Sequence, residues 1–185
     1  MPPSAPSTII LMGMMGSGKT SVGRALAERT GWRYIDNDEL VRAVTGRAPE
    51  EIDATDGDAR LHQAEAEALR HALTMPAPLV VGAAAWVVVD PASAALLRTQ
   101  PTVVYLRAQP ETLRARIGEG SGRRSDATDL AWLRARMAER DAIYRETATL
   151  TVETDELAAD VIATRILDWL ARQTGEPPGR ARISG

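Results

Sequence analysis

Short apolar segments alternate along the chain with longer segments in which apolar residues recur every three or four positions. Five of the short segments have the length of a β-strand and are apolar at nearly every position. They are Thr8–Met12, Trp32–Ile35, Leu79–Val81, Val103–Leu106 and Leu150–Val152. Strands without a polar face are typical of a parallel sheet that is covered by helices on both sides.

The longer segments predict helices with one apolar face. One such face comprises Leu61, Ala64, Leu69, Ala72 and Leu73. Another, in the last predicted helix, comprises Leu157, Val161, Ile162, Ile166, Trp169 and Leu170. Alternating strands and helices predict a three-layer α/β domain. We expect one domain over residues 8–172, with disordered tails at 1–7 and 173–185, where Pro, Gly, Ser and charged residues dominate.

The composition excludes several classes of protein. The 185 residues carry a formal net charge of −3 and include no cysteine and two histidines. Disulfides and thiolate metal sites are therefore excluded, and a zinc site would need unusual ligands. The mild negative charge gives no electrostatic reason to expect nucleic acid, and no apolar run approaches the length of about 18 residues that spans a bilayer. We expect a cytoplasmic monomer with no membrane or nucleic-acid partner.

A phosphate-binding loop follows the first predicted strand. Residues 13–20 (GMMGSGKT) fit the pattern G-x-x-x-x-G-K-[ST] and lead into a predicted helix. Of the 22 lysine and arginine residues, Lys19 is the only lysine, which indicates a chemical requirement for lysine there. Lys19 would neutralise the β- and γ-phosphates, and the hydroxyl of Thr20 would bind Mg²⁺. The predicted nucleotide-binding residues of this segment are Gly13, Gly16, Ser17, Gly18, Lys19, Thr20 and Ser21.

Two other classes of phosphate-loop protein can be compared with this chain. GTPases read guanine with an N-K-x-D motif, which the chain lacks because Lys19 is its only lysine. A motor-type ATPase would carry an acidic residue after a strand, and Asp90 follows an apolar run. However, Asp90 also precedes Pro91, and this pair is typical of the first residues of a helix. We favour the interpretation that Asp90 is a helix cap.

A second candidate site is Asp36-Asn37-Asp38, which follows the second predicted strand. The carboxyl edge of an α/β sheet would place these residues in the same crevice as the phosphates. Asp36 could hold Mg²⁺ through water, and Asp38 could orient or deprotonate an acceptor hydroxyl. The alternative is that Asp36 or Asn37 only caps a helix over Asp38–Val44.

Together these motifs resemble the shikimate kinase family over about residues 8–170. The matching segments are GMMGSGKTSVGRALA at 13–27, YIDNDEL at 34–40, the Gly57-Asp58 turn, TVVYLRAQPETLRARI at 102–117, and Arg140 with Tyr144. The resemblance implies a five-stranded parallel sheet of the nucleoside-monophosphate-kinase type with a lid at about 118–129. It also implies ATP and Mg²⁺ as cofactors and a small hydroxyl compound as acceptor, with shikimate as the first candidate. The alternatives are another polyol as acceptor, or an ATP-binding regulator without catalysis.

The resemblance also assigns roles to individual residues. Arg116 would lie against adenine, and Arg123, with Arg124 as its neighbour, would be the lid arginine that meets the transferring phosphate. Asp38 would contact the acceptor hydroxyl and Arg140 the acceptor carboxylate. The implied catalytic residues are Lys19, Asp38 and Arg123.

The chain departs from the family pattern on the acceptor side. The family segment G-E-x-x-F-R here ends in His62, so an arginine that binds carboxylate is replaced by histidine. The family's triple glycine is Ala84-Ala85-Trp86 here, and the lid lacks R-P-L-L. The predicted acceptor-binding residues are Asp38, His62, Ala84, Ala85 and Arg140. We therefore expect acceptor recognition to differ from that of the family while ATP binding is retained.

His62 and His71 are nine residues apart on one predicted helix, which places them about 180° apart around its axis. They cannot share a metal ion. We expect one to face the crevice or core and the other to face solvent, although His62 as an ordinary surface histidine remains an alternative.

Overall fold

A computed structural model describes residues 8–118 and 129–174. The strands are β1 Thr8–Met12, β2 Arg33–Ile35, β3 Leu79–Gly82, β4 Val103–Arg107 and β5 Leu150–Glu153. The helices are α1 Lys19–Thr30, α2 Asn37–Thr45, α3 Pro49–Asp56, α4 Asp58–Ala72, α5 Pro91–Arg98, α6 Pro110–Gly118, α7 Leu130–Thr147 and α8 Ala159–Thr174. The five predicted strands are all present, with bounds that differ by a residue or less at each end.

The strands form one parallel sheet in the order β2-β3-β1-β4-β5. Side chains of β1 alternate between its faces, as the strand geometry requires. Ile9 and Leu11 pack with buried residues of α1 and α8, whereas Ile10 and Met12 pack on the opposite face with residues of α5 and α7. The predicted three-layer α/β fold with a five-stranded parallel sheet is therefore confirmed.

Two residues of the predicted apolar face of the last helix are misplaced. Leu157 precedes α8, which begins at Ala159. Ile162 and Ile166 of α8 are buried, but Val161 is 44% exposed. Adjacent residues of a helix lie about 100° apart, so Val161 falls outside the stripe that contacts the sheet. On α4, the predicted face is confirmed at Ala64 and Leu69, both of which are buried.

Asp90 is the N-cap of α5, and Pro91 is the first residue of that helix. Its Oδ2 atom accepts hydrogen bonds from the backbone N–H of Ser93 at 2.9 Å and from the Ser93 hydroxyl at 2.6 Å. These bonds, the side-chain bond above all, lower the pKa of Asp90 below its usual value. The cap interpretation is confirmed, and the alternative of a metal-binding acid in a motor-type ATPase is wrong because this carboxylate is committed to the helix terminus.

The predicted lid at about 118–129 falls almost entirely outside the described residues. Gly118 ends α6 and Asp129 is the N-cap of α7, but Arg123 and Arg124 lie in the segment that the structure does not describe. The tails at 1–7 and beyond 174 lie outside it as well, so the domain boundaries stay a prediction. None of the helices within the described ranges is long and apolar enough to cross a membrane.

The role of Asp90 predicts a change in stability without a change in chemistry. Asp90→Ala removes the N-cap bonds and should cost about 1 kcal/mol, which lowers Tm by about 2–4 °C in a chain of this size. Asp90→Ser, which restores a capping oxygen, should remain close to wild type. Thermal unfolding measures the stability, and ATP turnover should be equal in all three proteins. A large loss of turnover in folded Asp90→Ala would restore the ATPase interpretation.

Candidate active site

The loop between β1 and α1 depends on close backbone packing. Gly13 has a φ of +152°, and a Cβ atom at this position would lie 2.5 Å from the carbonyl oxygen of Leu106 on β4. Gly18, at φ +100°, immediately precedes α1 and adopts a left-handed conformation. No side chain caps the first N–H groups of α1, and its first turn contains no acidic residue. These open N–H groups and the helix dipole form a site for an anion.

Lys19 lies over this loop. Its Nζ atom donates hydrogen bonds to the carbonyl oxygens of Gly13 at 2.8 Å and Met14 at 3.1 Å. The ammonium group is thereby fixed on the loop that leads into α1. A polyphosphate at this position would find one compact charge and several backbone donors already in place.

Arg116 is fixed on the other side of the loop. Its guanidinium donates to the Thr154 carbonyl oxygen at 2.6 Å, to the Thr154 hydroxyl at 3.1 Å and to the Gly16 carbonyl oxygen at 3.4 Å. Thr154 follows β5, so these bonds connect α6 to the β5 end of the sheet and to the loop. This position agrees with the predicted contact to the nucleotide base, which stays a prediction.

Thr20 and Asp36 line the cavity next to the loop, and the phenol of Tyr34 lies near both. Burial raises the pKa of Tyr34 to about 12; the Thr20 hydroxyl opposes this rise and the Asp36 carboxylate adds to it. Tyr34 occupies space left by two glycines, since a Cβ atom on Gly23 or Gly82 would lie less than 3 Å from its ring or hydroxyl. The phenol therefore remains protonated and neutral at physiological pH.

Asp36 is also the N-cap of α2, and its Oδ1 atom accepts the backbone N–H of Glu39 at 2.9 Å. The alternative that Asp36 caps a helix is therefore correct for one carboxylate oxygen, and it leaves the second oxygen for another ligand. Among the described residues, no group of three or more histidine and carboxylate side chains could hold a metal by itself. A hydroxyl, one carboxylate oxygen and phosphate oxygens suit Mg²⁺, which prefers oxygen ligands and keeps several waters. Thr20 and Asp36 thus fit the ion.

The far wall of the cavity is built from α3, α4, α7 and the turn after β3. The cavity has a volume of about 750 Å³, and the predicted acceptor residues Asp38, His62, Ala84, Ala85 and Arg140 all line it. The rings of His62 and Trp86 are stacked, with centroids 4.1 Å apart and planes inclined by 3°. His71, in contrast, is exposed on α4, as the predicted separation of the two histidines requires.

A buried network fixes α7, which carries Arg140. The Tyr144 hydroxyl donates to the carbonyl oxygen of Ala85 at 2.6 Å, and the Tyr144 ring stacks on Tyr105 with centroids 4.6 Å apart. The Tyr105 hydroxyl donates to Asp141 at 2.9 Å, and Arg107 donates to the same oxygen at 2.8 Å. The helix is therefore held at once by the sheet and by the turn that presents Trp86.

Several cavity residues were missed in the sequence. Tyr34, Glu50, Asp53, Glu65 and Trp132 line the cavity in addition to the predicted residues. On α3, Asp53 faces the cavity while Glu51 pairs with Arg47 outside it. Both are carboxylates in a helix with a weak apolar pattern, so no signal in the sequence separates them. Only the packing of α3 against α4 decides which one faces inward.

The predicted residues are thus brought together with two exceptions. Gly13 lies beneath the loop and contributes its carbonyl oxygen to Lys19 rather than lining the cavity. Arg123 lies outside the described residues. The roles of all the predicted site residues in binding and catalysis stay predictions.

Comparison with known proteins agrees with this geometry. The sequence profile of the family described as "Shikimate kinase" matches residues 15–171. The chain is 38% identical over 173 residues to the shikimate kinase of Symbiobacterium thermophilum, covering 91% of this chain and 98% of that protein. It is 37% identical over 147 residues to the shikimate kinase of Neisseria gonorrhoeae, covering 78% and 86%. A shikimate kinase from Acinetobacter baumannii in complex with shikimate superposes with a TM-score of 0.81 at 29% identity, covering 90% and 94%.

The position of Lys19 predicts its effect on ATP binding. Lys19→Ala removes a charge-assisted contact to phosphate and should weaken ATP binding by roughly 10- to 100-fold and abolish most turnover. Lys19→Arg should also be impaired, because a planar guanidinium does not fit the space of a compact ammonium group. Titration calorimetry measures the binding. Arg29→Ala, an exposed cation on the same helix, is the control, and near-normal turnover in folded Lys19→Ala would contradict the loop assignment.

Proposed function

This chain belongs to the shikimate kinase family, and we propose that it transfers the γ-phosphoryl group of ATP to a hydroxyl group of shikimate. One observation carries the proposal: a single cavity is lined by the phosphate-binding loop at one end and by Asp38 and Arg140 at the other. Family membership supports ATP as the donor. The shikimate complex of the Acinetobacter relative supports shikimate as the first acceptor to test.

The transfer breaks the bond between the γ-phosphorus and the oxygen that bridges to the β-phosphate. A new bond forms between the γ-phosphorus and the acceptor oxygen, ADP leaves, and the proton of the acceptor hydroxyl passes to the Asp38 carboxylate or through it to water. Lys19 and the N–H groups of α1 stabilise the charge on the phosphate oxygens. Arg140 binds the acceptor and holds its hydroxyl in line with the phosphate.

Thr20 and Asp36 are the residues that would hold Mg²⁺. The ion would neutralise part of the charge on the phosphate oxygens. The neutral phenol of Tyr34 lies near the Thr20 hydroxyl and the Asp36 carboxylate. We also propose that the protein acts in the cytoplasm as a monomer without a membrane partner. Its mild net charge of −3 supports the absence of a nucleic-acid partner.

A second candidate function is the phosphorylation of a different small hydroxyl compound. The stacked pair of His62 and Trp86 favours it, because the family pattern has an arginine and a glycine at these two positions. An arginine that would bind a carboxylate is absent there, and an indole ring occupies space next to the backbone of the turn after β3.

The proposed function predicts ADP formation that depends on shikimate. Purified protein with ATP and Mg²⁺ should release ADP and form a phosphorylated product, and the rate should saturate with shikimate. A coupled ADP assay and mass spectrometry of the product measure the reaction. ADP release that is slow and unchanged by any hydroxyl acceptor would indicate a nucleotide-binding protein rather than a kinase.

The two aspartates predict separable effects. Asp38→Asn should lower kcat by roughly 100-fold or more with little change in ATP affinity, because it removes a group that acts on the acceptor hydroxyl. Asp36→Asn should instead raise the Mg²⁺ concentration that is required for half-maximal ATP binding. Asp160→Asn, an exposed carboxylate on α8, is the control for a change of one charge. Full activity in both active-site variants would leave the pair with a structural role only.

A further inference from the structure

Tyr144 of α7 connects two walls of the cavity. Its side chain is fully buried, and its hydroxyl donates a hydrogen bond of 2.6 Å to the carbonyl oxygen of Ala85 in the turn after β3. Arg140 lies one helical turn earlier on α7, and residues four positions apart lie on the same face of a helix. One buried hydroxyl therefore connects the helix face that carries Arg140 to the turn that presents Trp86.

The Tyr144 side chain is itself held by the sheet. Its ring stacks on the ring of Tyr105, with centroids 4.6 Å apart and planes inclined by 12°. Tyr105 belongs to β4, which lies between β1 and β5, and its hydroxyl donates to Asp141 at 2.9 Å. Asp141 directly follows Arg140 in the chain. A displacement of the Tyr144 hydroxyl would therefore also displace the turn after β3 or the part of α7 that carries Arg140.

Arg140 has a hydrogen-bond donor that the described part of the protein does not use. Its Nε atom is buried and has no hydrogen-bond partner among the described residues, and Arg140 lines the cavity together with Asp38 and His62. A buried N–H group without a partner is costly unless a ligand supplies an acceptor atom. The carboxylate of the proposed acceptor meets this requirement, because an arginine binds a carboxylate through parallel N–H donors.

The orientation of Arg140 has more weight in this chain than in the family pattern. Among the described residues that line the cavity, the arginines are Arg116 and Arg140, and Arg116 is bonded to Thr154 at the phosphate-binding end. The family pattern has a further arginine where this chain has His62. With one arginine fewer for the acceptor carboxylate, affinity depends more strongly on how well the remaining one is oriented.

We propose that Tyr144 is a positioning residue for acceptor recognition: its hydroxyl fixes α7 against the turn after β3, so that Arg140 is oriented for the acceptor carboxylate before the acceptor binds. The same bond holds the turn in which Trp86 stacks on His62. The inference rests on the proposed function, because it assumes that shikimate binds in this cavity. It concerns a residue that does not itself line the cavity.

The variant Tyr144→Phe keeps the stacked ring and removes only the hydroxyl. We expect KM for shikimate to rise by roughly tenfold, the effect of misaligning one charge-assisted hydrogen bond, with a smaller change in kcat and unchanged ATP affinity. Steady-state kinetics give KM and kcat, and calorimetry with a non-hydrolysable ATP analogue gives the nucleotide affinity. An unchanged KM for shikimate in the folded variant would overturn the inference.

The neutral methyl ester of shikimate separates the positioning of Arg140 from a general loss of structure. The ester keeps the ring and the hydroxyl groups but lacks the negative charge that Arg140 binds. The wild-type protein should prefer shikimate, and the ratio of the two kcat/KM values should fall by roughly fivefold or more in Tyr144→Phe. Asp90→Ala, which lowers stability at a residue outside the cavity lining, is the control and should leave the ratio unchanged. Equal losses for both acceptors in Tyr144→Phe would indicate a purely structural role and overturn the inference.

A double-mutant cycle shows whether Tyr144 acts through Arg140. Arg140→Ala should lower kcat/KM for shikimate by roughly 10- to 100-fold. In that background Tyr144→Phe should lower it by no more than about twofold further, because the group that it positions is already absent. Additive losses in the double variant would overturn the inference.

Side-chain dynamics test the inference in the wild-type protein, independently of how well a variant folds. With an ATP analogue bound and no acceptor present, the Arg140 Nε–H group should be rigid, with an NMR order parameter near the value of about 0.85 of a structured backbone. The resonance is assigned with Arg140→Lys. An order parameter below about 0.6 would overturn the inference, because Arg140 would then not be oriented before the acceptor binds.

Binding separates a failure of the inference from a failure of the proposed function. Calorimetry of shikimate with the ATP analogue bound reports affinity without chemistry. Shikimate binding that weakens in Tyr144→Phe but not in Asp90→Ala, without phosphoryl transfer in the wild type, would sustain the inference and refute the kinase assignment. Efficient turnover of shikimate that Tyr144→Phe leaves unchanged would overturn the inference and leave the proposed function intact. If shikimate neither binds nor reacts, both fall.

Discussion

Gly13 lies so close to β4 that a side chain there would collide with the Leu106 carbonyl oxygen, and much of the site depends on this contact. The contact seats the phosphate-binding loop on the buried centre of the sheet, so that the loop emerges between the ends of four other strands. Lys19 and the open N–H groups of α1 are oriented by the same turn. A loop held in this way positions phosphate before any acceptor binds, which reduces the reorganisation needed for transfer.

A network of aromatic and charged side chains holds α7, which lines the cavity with Trp132 and Arg140. Tyr144 binds the Ala85 carbonyl oxygen and stacks on Tyr105, whose hydroxyl reaches Asp141. Burial by itself would raise the pKa of Asp141, but hydrogen bonds from Arg145, Arg107 and Tyr105 bring it below the usual value. The carboxylate therefore remains ionised at neutral pH and keeps α7 attached to the sheet. Arg140 precedes Asp141, so the anchor of the helix also places the arginine.

The nucleotide side and the acceptor side of the cavity differ in how closely they keep the family pattern. The nucleotide side keeps the loop, Thr20 and Arg116, which the family resemblance assigns to ATP and its Mg²⁺. The acceptor side of the cavity, around Asp38, presents the stacked rings of His62 and Trp86. Specificity among small acceptors comes from which groups a pocket leaves without a partner, and a charge mismatch discriminates more strongly than a change in size. In this chain His62 lines the acceptor side where the family pattern has an arginine.

The sequence by itself determined the secondary-structure elements and the phosphate-binding loop. Buried parallel strands are apolar at nearly every position, and phosphate binding is encoded in one contiguous loop, so local pattern was sufficient for both. The double role of Asp36 as cap and candidate ligand was visible as two alternatives, because capping uses one carboxylate oxygen and leaves the other. Val161 was misassigned because a single helical position at the border of a stripe is decided by the neighbouring elements. Asp53, the stacking of His62 on Trp86 and the Tyr105–Asp141 anchor were decided by tertiary structure alone. The stacking and the anchor each join residues from different elements. The direction in which Asp53 faces depends on how α3 packs against α4, which the sequence does not show.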